Sequence, residues 1–170
     1  VAYCNWLSEQ EGIPKEQWCY LPNKEGKYED GMTMAPGYLK RTGYRLPTEA
    51  EWEYSCRAGS ESAYSFGQSE EFLGKYAWWR GNSGFKSHPV GTLKSNDLGL
   101  FDMHGNNWEW CQDVYKEYPK VMDNKAVIDY DEYTKINPED ARVLRGGSFY
   151  DSASDVRSAI RFYKVPAVRF

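Results

Sequence analysis

The stretch Gly99–Trp110, Gly-Leu-Phe-Asp-Met-His-Gly-Asn-Asn-Trp-Glu-Trp, constrains this chain more than any other. It sets Asp102 and Glu109 around a Gly105-Asn106-Asn107 turn, between bulky apolar residues with the character of core. A carboxylate moved into an apolar interior loses its hydration without compensation, so a positive charge is expected between the two acids. Hard oxygen donors on a tight loop suit Ca²⁺, which accepts carboxylates together with backbone carbonyls in a flexible shell. The candidate donors are the side chains of Asp102 and Glu109 and the carbonyls of Gly105 and Asn107. The competing reading is a plain turn at Asn106 and Asn107, with Glu109 paired to an arginine.

A chain of 170 residues suits a single domain with room for a sizeable core, and the domain is expected to span 1–170. Seven Trp and fourteen Tyr bring the aromatic share to 16%, while the mean hydropathy is −0.78, which implies a core of large rings joined by polar loops. The net charge of −4 gives no general attraction to phosphate backbones, so neither nucleic acid nor an anionic membrane is the expected partner. No apolar run approaches the roughly 20 residues of a membrane-spanning helix. The chain opens in mid-helix, with Tyr3, Trp6 and Leu7 on one face and no capping residue before them, and it stops on an alternating run from Val165 to Phe170. We therefore expect an excerpt of a longer protein, truncated at both ends.

Cys4, Cys19, Cys56 and Cys111 form no C-x-x-C pair, so zinc ribbons and thioredoxin-like chemistry have no footing, and free buried thiols are expected. His88 and His104 match no metal-ligand spacing. The first helix closes near Gly12-Ile13-Pro14. Between Glu16 and Tyr38, short alternating patches suggest a small hairpin. Thr48-Glu49-Ala50-Glu51 has the form of a capping box, which starts a second helix running to about Ala58 with Trp52 and Cys56 facing the core. Short Gly- and Ser-rich pieces from Ser60 to Leu98 read as long pinned loops, and Tyr115–Asp140 as an exposed excursion. A strand then begins at Arg142 and is interrupted by the Gly146-Gly147 pair, which suits a bulge or a close backbone approach.

Three blocks carry a resemblance: Tyr44-Arg45-Leu46-Pro47-Thr48-Glu49-Ala50-Glu51-Trp52-Glu53-Tyr54, Gly99–Trp110, and Arg142-Val143-Leu144-Arg145-Gly146-Gly147-Ser148. In this order they resemble the signature blocks of the sulfatase-modifying factor family, that of the formylglycine-generating enzymes. The resemblance implies an α+β fold related to the C-type lectins, with two main helices, short antiparallel strands and extensive coil. It also implies a structural calcium ion on Asp102, Gly105, Asn107 and Glu109. The family's second calcium site would fall near Tyr76–Phe85, where the expected acid is missing, and it is not carried over. The family's copper-dependent oxidation of a sulfatase cysteine needs two cysteines just after the Arg-Gly-Gly-Ser block. Here that segment reads Phe149-Tyr150-Asp151-Ser152-Ala153-Ser154-Asp155-Val156-Arg157, and its carboxylates and hydroxyls cannot replace thiolates for a soft Cu(I) ion. Copper is accordingly not expected, and neither Cys19 nor Cys111 is an evident stand-in.

Two functions follow from that contrast. The first is a noncatalytic binding or accessory scaffold, stabilised by calcium and carried in a larger protein; the resemblance extends to bacterial proteins in which such domains are fused to kinases. Its expected contact surface holds Trp78, Trp79, Tyr150, Asp151, Ser152, Ser154, Asp155 and Arg157, flanked by Tyr163, and suits a protein, peptide or saccharide partner. The second is a formylglycine-generating oxidase or other oxidoreductase acting on protein cysteine. Among the arginines, structural ion pairing is expected, with Arg145 partnering Glu109 or Glu53.

Overall fold

The computed structural model describes residues 1–118 and 136–166. The expected α+β architecture is present, and the described residues form two short helices, four 3₁₀ turns and five short strands joined by irregular segments. The backbone forms two compact units, one of Val1–Leu46, Asp113–Ala141 and Val165–Phe170, the other of Pro47–Gln112 and Arg142–Lys164. Among the described residues no helix is long and apolar enough to cross a membrane.

In the first unit, helix α1 (Ala2–Gln10) starts at Val1 without a side-chain cap. Its exposed face is the one that carries Tyr3 and Trp6, which stand 65% and 50% exposed and lean on each other at 5.3 Å. The buried face is instead Cys4, Asn5 and Ser8. Hydrogen bonding decides this: Asn5 Nδ2 donates to the Tyr20 carbonyl at 2.8 Å, and Ser8 Oγ accepts the Tyr44 N–H at 2.8 Å. Small polar side chains let the helix approach loop backbone closely enough to satisfy it, which large rings could not do. Strands β1 (Tyr20–Leu21) and β2 (Thr33–Met34) form the small antiparallel hairpin, with Tyr20 opposite Met34. Cys4, Cys19, Tyr20, Met34 and Tyr38 are the core here, with Val1, Leu46 and Ile136 packed on it.

The second unit is organised by helix α2 (Glu49–Arg57). Both halves of its capping box form: Thr48 Oγ1 accepts from Glu51 N–H at 3.2 Å, and Glu51 Oε2 accepts from Thr48 N–H at 2.8 Å. Ala58 ends the helix in a left-handed turn, and Trp52 and Cys56 are buried as the spacing requires. Strands β3 (Glu109–Val114), β4 (Arg142–Arg145) and β5 (Phe162–Lys164) form a sheet in that order, with β4 and β5 antiparallel; the boundary between the units falls inside β3. A second core gathers Tyr64, Leu73, Ala77, Ala153 and Val156. The long loops contain a 3₁₀ turn at Glu70–Lys75, capped by Ser69, that hydrophobic periodicity does not reveal.

Arg145 joins α2 to the sheet. It is fully buried beneath the Trp52 ring at 5.1 Å, pairs with Glu53, lies 3.5 Å from Glu49 and donates to the Ser158 carbonyl at 3.0 Å. Of its two expected acidic partners, Glu53 is the one engaged. Arg161 grips both oxygens of Glu49 at 2.6 and 2.7 Å. Arg157 donates to the Ser154 carbonyl at 2.7 Å and Arg142 to the Gln112 carbonyl at 2.6 Å. The excursion at 119–135 and the end of the chain at 167–170, Arg169 included, lie outside the described residues.

Candidate functional site

The loop from Asp102 to Glu109 is held from several directions by backbone. Gly105 donates its N–H to the Gly146 carbonyl at 2.8 Å, and Asn106 donates to the Trp78 carbonyl at 2.7 Å. Phe149 N–H reaches the Asn106 carbonyl at 2.9 Å. Only glycine fits at position 105: its φ is +78°, and a Cβ there would lie 2.2 Å from the Trp78 carbonyl oxygen. Asn106 is a buried brace as well as a turn residue, since its amide exchanges hydrogen bonds with the backbone of His88 at 3.0 and 3.1 Å.

This frame turns two acids inward. Asp102 sits at φ +57°, with Oδ2 accepting the Gly91 N–H at 2.8 Å, while its Oδ1 is buried without a hydrogen-bond partner. Glu109 Oε2 accepts the Trp52 indole N–H at 2.6 Å. Burial pushes the Glu109 carboxyl above its usual range; the Trp52 hydrogen bond opposes this shift, and the nearby Asp102 charge adds to it. Two half-buried carboxylates thus lie near each other, with one buried Asp102 oxygen unsatisfied. Gly146 lets β4 end close by, because a Cβ there would be 3.3 Å from the Trp52 ring and 3.9 Å from the Asn107 carbonyl oxygen. The donor set of two carboxylates and two loop carbonyls, with an orphaned buried oxygen among them, fits a hard divalent cation.

The segment after Gly147 is a series of tight polar turns. Asp151 Oδ2 receives the Ser148 N–H and hydroxyl at 2.8 and 2.6 Å, and the Asp151 carbonyl receives Arg80 N–H at 3.0 Å. Ser152 donates to Asp155 and lies 2.8 Å from the Ser154 hydroxyl. Gly147 has φ +74°, and a Cβ there would strike Val156 at 2.7 Å and the Asp155 carbonyl at 2.8 Å. Most of the candidate polar groups thus hold the loop together, and Tyr150 is what it displays, 62% exposed and 5.4 Å from the equally prominent Phe85. Phe85 was absent from the expected surface; its signal is the Gly84-Phe85 pair, which takes a left-handed turn that lifts the ring outward. Trp78 stacks on His88 at 3.8 Å and donates to Thr92 Oγ1 at 3.1 Å, whereas Trp79 packs against the second core and supports the surface from beneath.

All four cysteines are free and buried. Burial pushes the Cys56 thiol up to about 12, and it points at the Met103 carbonyl at 3.5 Å. His104 is a core residue. Its Nδ1 lies 2.8 Å from the Val156 carbonyl and its Nε2 accepts the Ser65 N–H at 3.1 Å; burial lowers its pKa to about 4. Among the described residues, no cluster of three or more His, Cys, Asp and Glu side chains forms a metal centre.

Residues 1–169 match the family described as the sulfatase-modifying factor enzyme 1-like domain. The chain belongs to that family. This sulfatase-modifying-factor domain is 32% identical over 127 residues to a formylglycine-generating enzyme of Mycobacterium tuberculosis, with 67% of the chain and 42% of the enzyme covered. It is also 33% identical over 138 residues to the serine/threonine-protein kinase pkn1 of Chlamydia caviae, matching 78% of the chain and 20% of the kinase. Among solved structures, Treponema denticola variable protein 1 superposes with a TM-score of 0.74 at 30% identity, over 99% of this chain and 63% of that one. The domain thus spans less than two thirds of each of these relatives, which include an enzyme and a kinase of quite different overall function.

Proposed function

We propose that this sulfatase-modifying-factor domain is a noncatalytic binding scaffold, stabilised by one calcium ion and belonging to a larger protein. The observation that carries the noncatalytic reading is the segment Phe149–Arg157: it holds no thiol, Asp151 is spent on Ser148, and Ser152 is spent on Ser154 and Asp155. The chain's four thiols are buried outside this segment, and burial raises the Cys4, Cys19 and Cys56 thiols above their ordinary range, which disfavours the thiolate that a soft Cu(I) ion takes. Asp102 and Glu109, with the Gly105 and Asn107 carbonyls, would hold calcium, whose chemistry there is charge neutralisation of two half-buried acids. Trp52 N–H and Gly91 N–H would orient those acids by occupying one oxygen of each.

The contact surface is the Tyr150-Asp151 turn with Phe85, supported by Trp79. Two exposed rings beside small polar groups suit a peptide or saccharide partner. The test is incubation with copper and a cysteine peptide of sulfatase type, read by mass spectrometry. The expected result is an unchanged peptide; conversion of its cysteine to the aldehyde would overturn the noncatalytic reading.

A further inference from the structure

A cavity of about 410 Å³ in the second unit lies apart from the clasp and from the Tyr150 surface, lined by Ser60, Ser65, Phe66, Gly67, Tyr76, Asn96 and Asp97. Its walls are set before any ligand arrives. The hairpin Tyr64–Gly67 is closed by two backbone hydrogen bonds at 3.1 and 3.2 Å, and it presents Phe66 stacked between Tyr64 at 5.1 Å and Tyr76 at 4.4 Å. The amide of Asn96 is spent on the Ser55 and Cys56 carbonyls and on the Leu98 and Leu100 N–H groups.

The Val156 carbonyl can only accept, so His104 carries its proton on Nδ1 and its Nε2 is an acceptor. Ser65 Oγ lies 3.1 Å from that Nε2, whose single lone pair also receives the Ser65 N–H, and the hydroxyl keeps lone pairs able to accept. Ser60 Oγ gives its proton to the Tyr64 carbonyl at 3.1 Å and accepts from Ser62 N–H, with one lone pair remaining. Asp97 is exposed and accepts only. The two serines and the aspartate offer acceptors beside the Phe66 and Tyr76 rings; the Lys94 ammonium, 5.9 Å from the Tyr76 ring centre, is a like charge that an incoming cation has to displace.

We propose that this cavity binds an alkylammonium group, with the three N–H donors on Asp97, Ser65 and Ser60 and the methylene stem along Phe66 and Tyr76. A hard divalent ion fits less well, because a single carboxylate among neutral hydroxyls and rings supplies too little charge. The group could come from a free amine or from the lysine side chain of a partner protein.

The test is an NMR titration of the intact chain, following the backbone amides of Ser65, Phe66, Gly67 and Asp97, with n-butylammonium, its neutral isostere n-butanol and the amide of Nα-acetyl-lysine. The two ammonium probes are expected to shift these amides saturably while butanol does not. Asp97→Asn, at an exposed position, is expected to keep the melting temperature and weaken ammonium binding about tenfold, as loss of a charge-assisted hydrogen bond implies. Tighter binding of the lysine amide than of butylammonium would assign the site to a partner's lysine, and the reverse to a free amine. Butanol binding as well as the ammonium probes, no saturable shift with either ammonium, or an unweakened Asp97→Asn variant would each overturn the proposal.

Discussion

At the residue scale, the most consequential side chain outside the clasp is Arg145, buried without exposure and serving Glu53, Glu49 and the Ser158 carbonyl at once. Arg161 still holds Glu49 and Arg57 still holds Glu53 when it is removed, so Arg145→Met loses charge-assisted hydrogen bonds without stranding an acid and is expected to cost about 1–3 kcal/mol, measured by denaturant unfolding. Cys56 gives a second check. Because burial holds its thiol near 12, the folded chain keeps this proton where the unfolded chain loses it, so stability falls as pH rises above about 9. At pH 9, iodoacetamide is expected to leave Cys56 intact in the native protein and label it after denaturation, as peptide mapping would show. The sequence made the burial of Trp52 and Cys56 legible, because their spacing on a capped helix leaves little choice of face. It did not reveal Ser65 beside His104, since residues so far apart in the chain meet only through the fold.

Elements show where local chemistry decides and where it does not. Helix α2 was readable from Thr48 to Ala58 because both its cap and its stop are local; Thr48→Ala is expected to cost about 1 kcal/mol in a thermal melt. The buried face of α1 was not readable, because burial there follows the hydrogen bonds of Asn5 and Ser8 to distant backbone rather than hydrophobicity. Glycines separate in the same way. Gly84 and Gly105 share a left-handed φ, but only at Gly105 would a Cβ collide with backbone. Gly84→Ala is therefore expected to cost about 1 kcal/mol from φ alone, while Gly105→Ala should lose considerably more and disorder the Asp102–Glu109 loop. Equal melting temperatures for the two variants would contradict that account.

For the molecule as a whole, three short blocks were enough to place the chain in its family, whose few regular elements are joined by loops pinned by glycines and by the buried Asn106. The exposed Phe85 and the division of the backbone into two units were not legible, since both arise from how loops meet rather than from any local pattern. A loop carrying two inward carboxylates, one with an orphaned oxygen, is the feature on which the account rests. The most direct measurement is thermal unfolding of the chelated protein titrated with calcium, beside an Asp102→Asn variant. A ligand that binds only the folded state raises its stability in proportion to the logarithm of concentration once in excess. The account predicts that wild-type melting climbs with calcium and that Asp102→Asn does not respond; a wild-type melting temperature indifferent to calcium would contradict it.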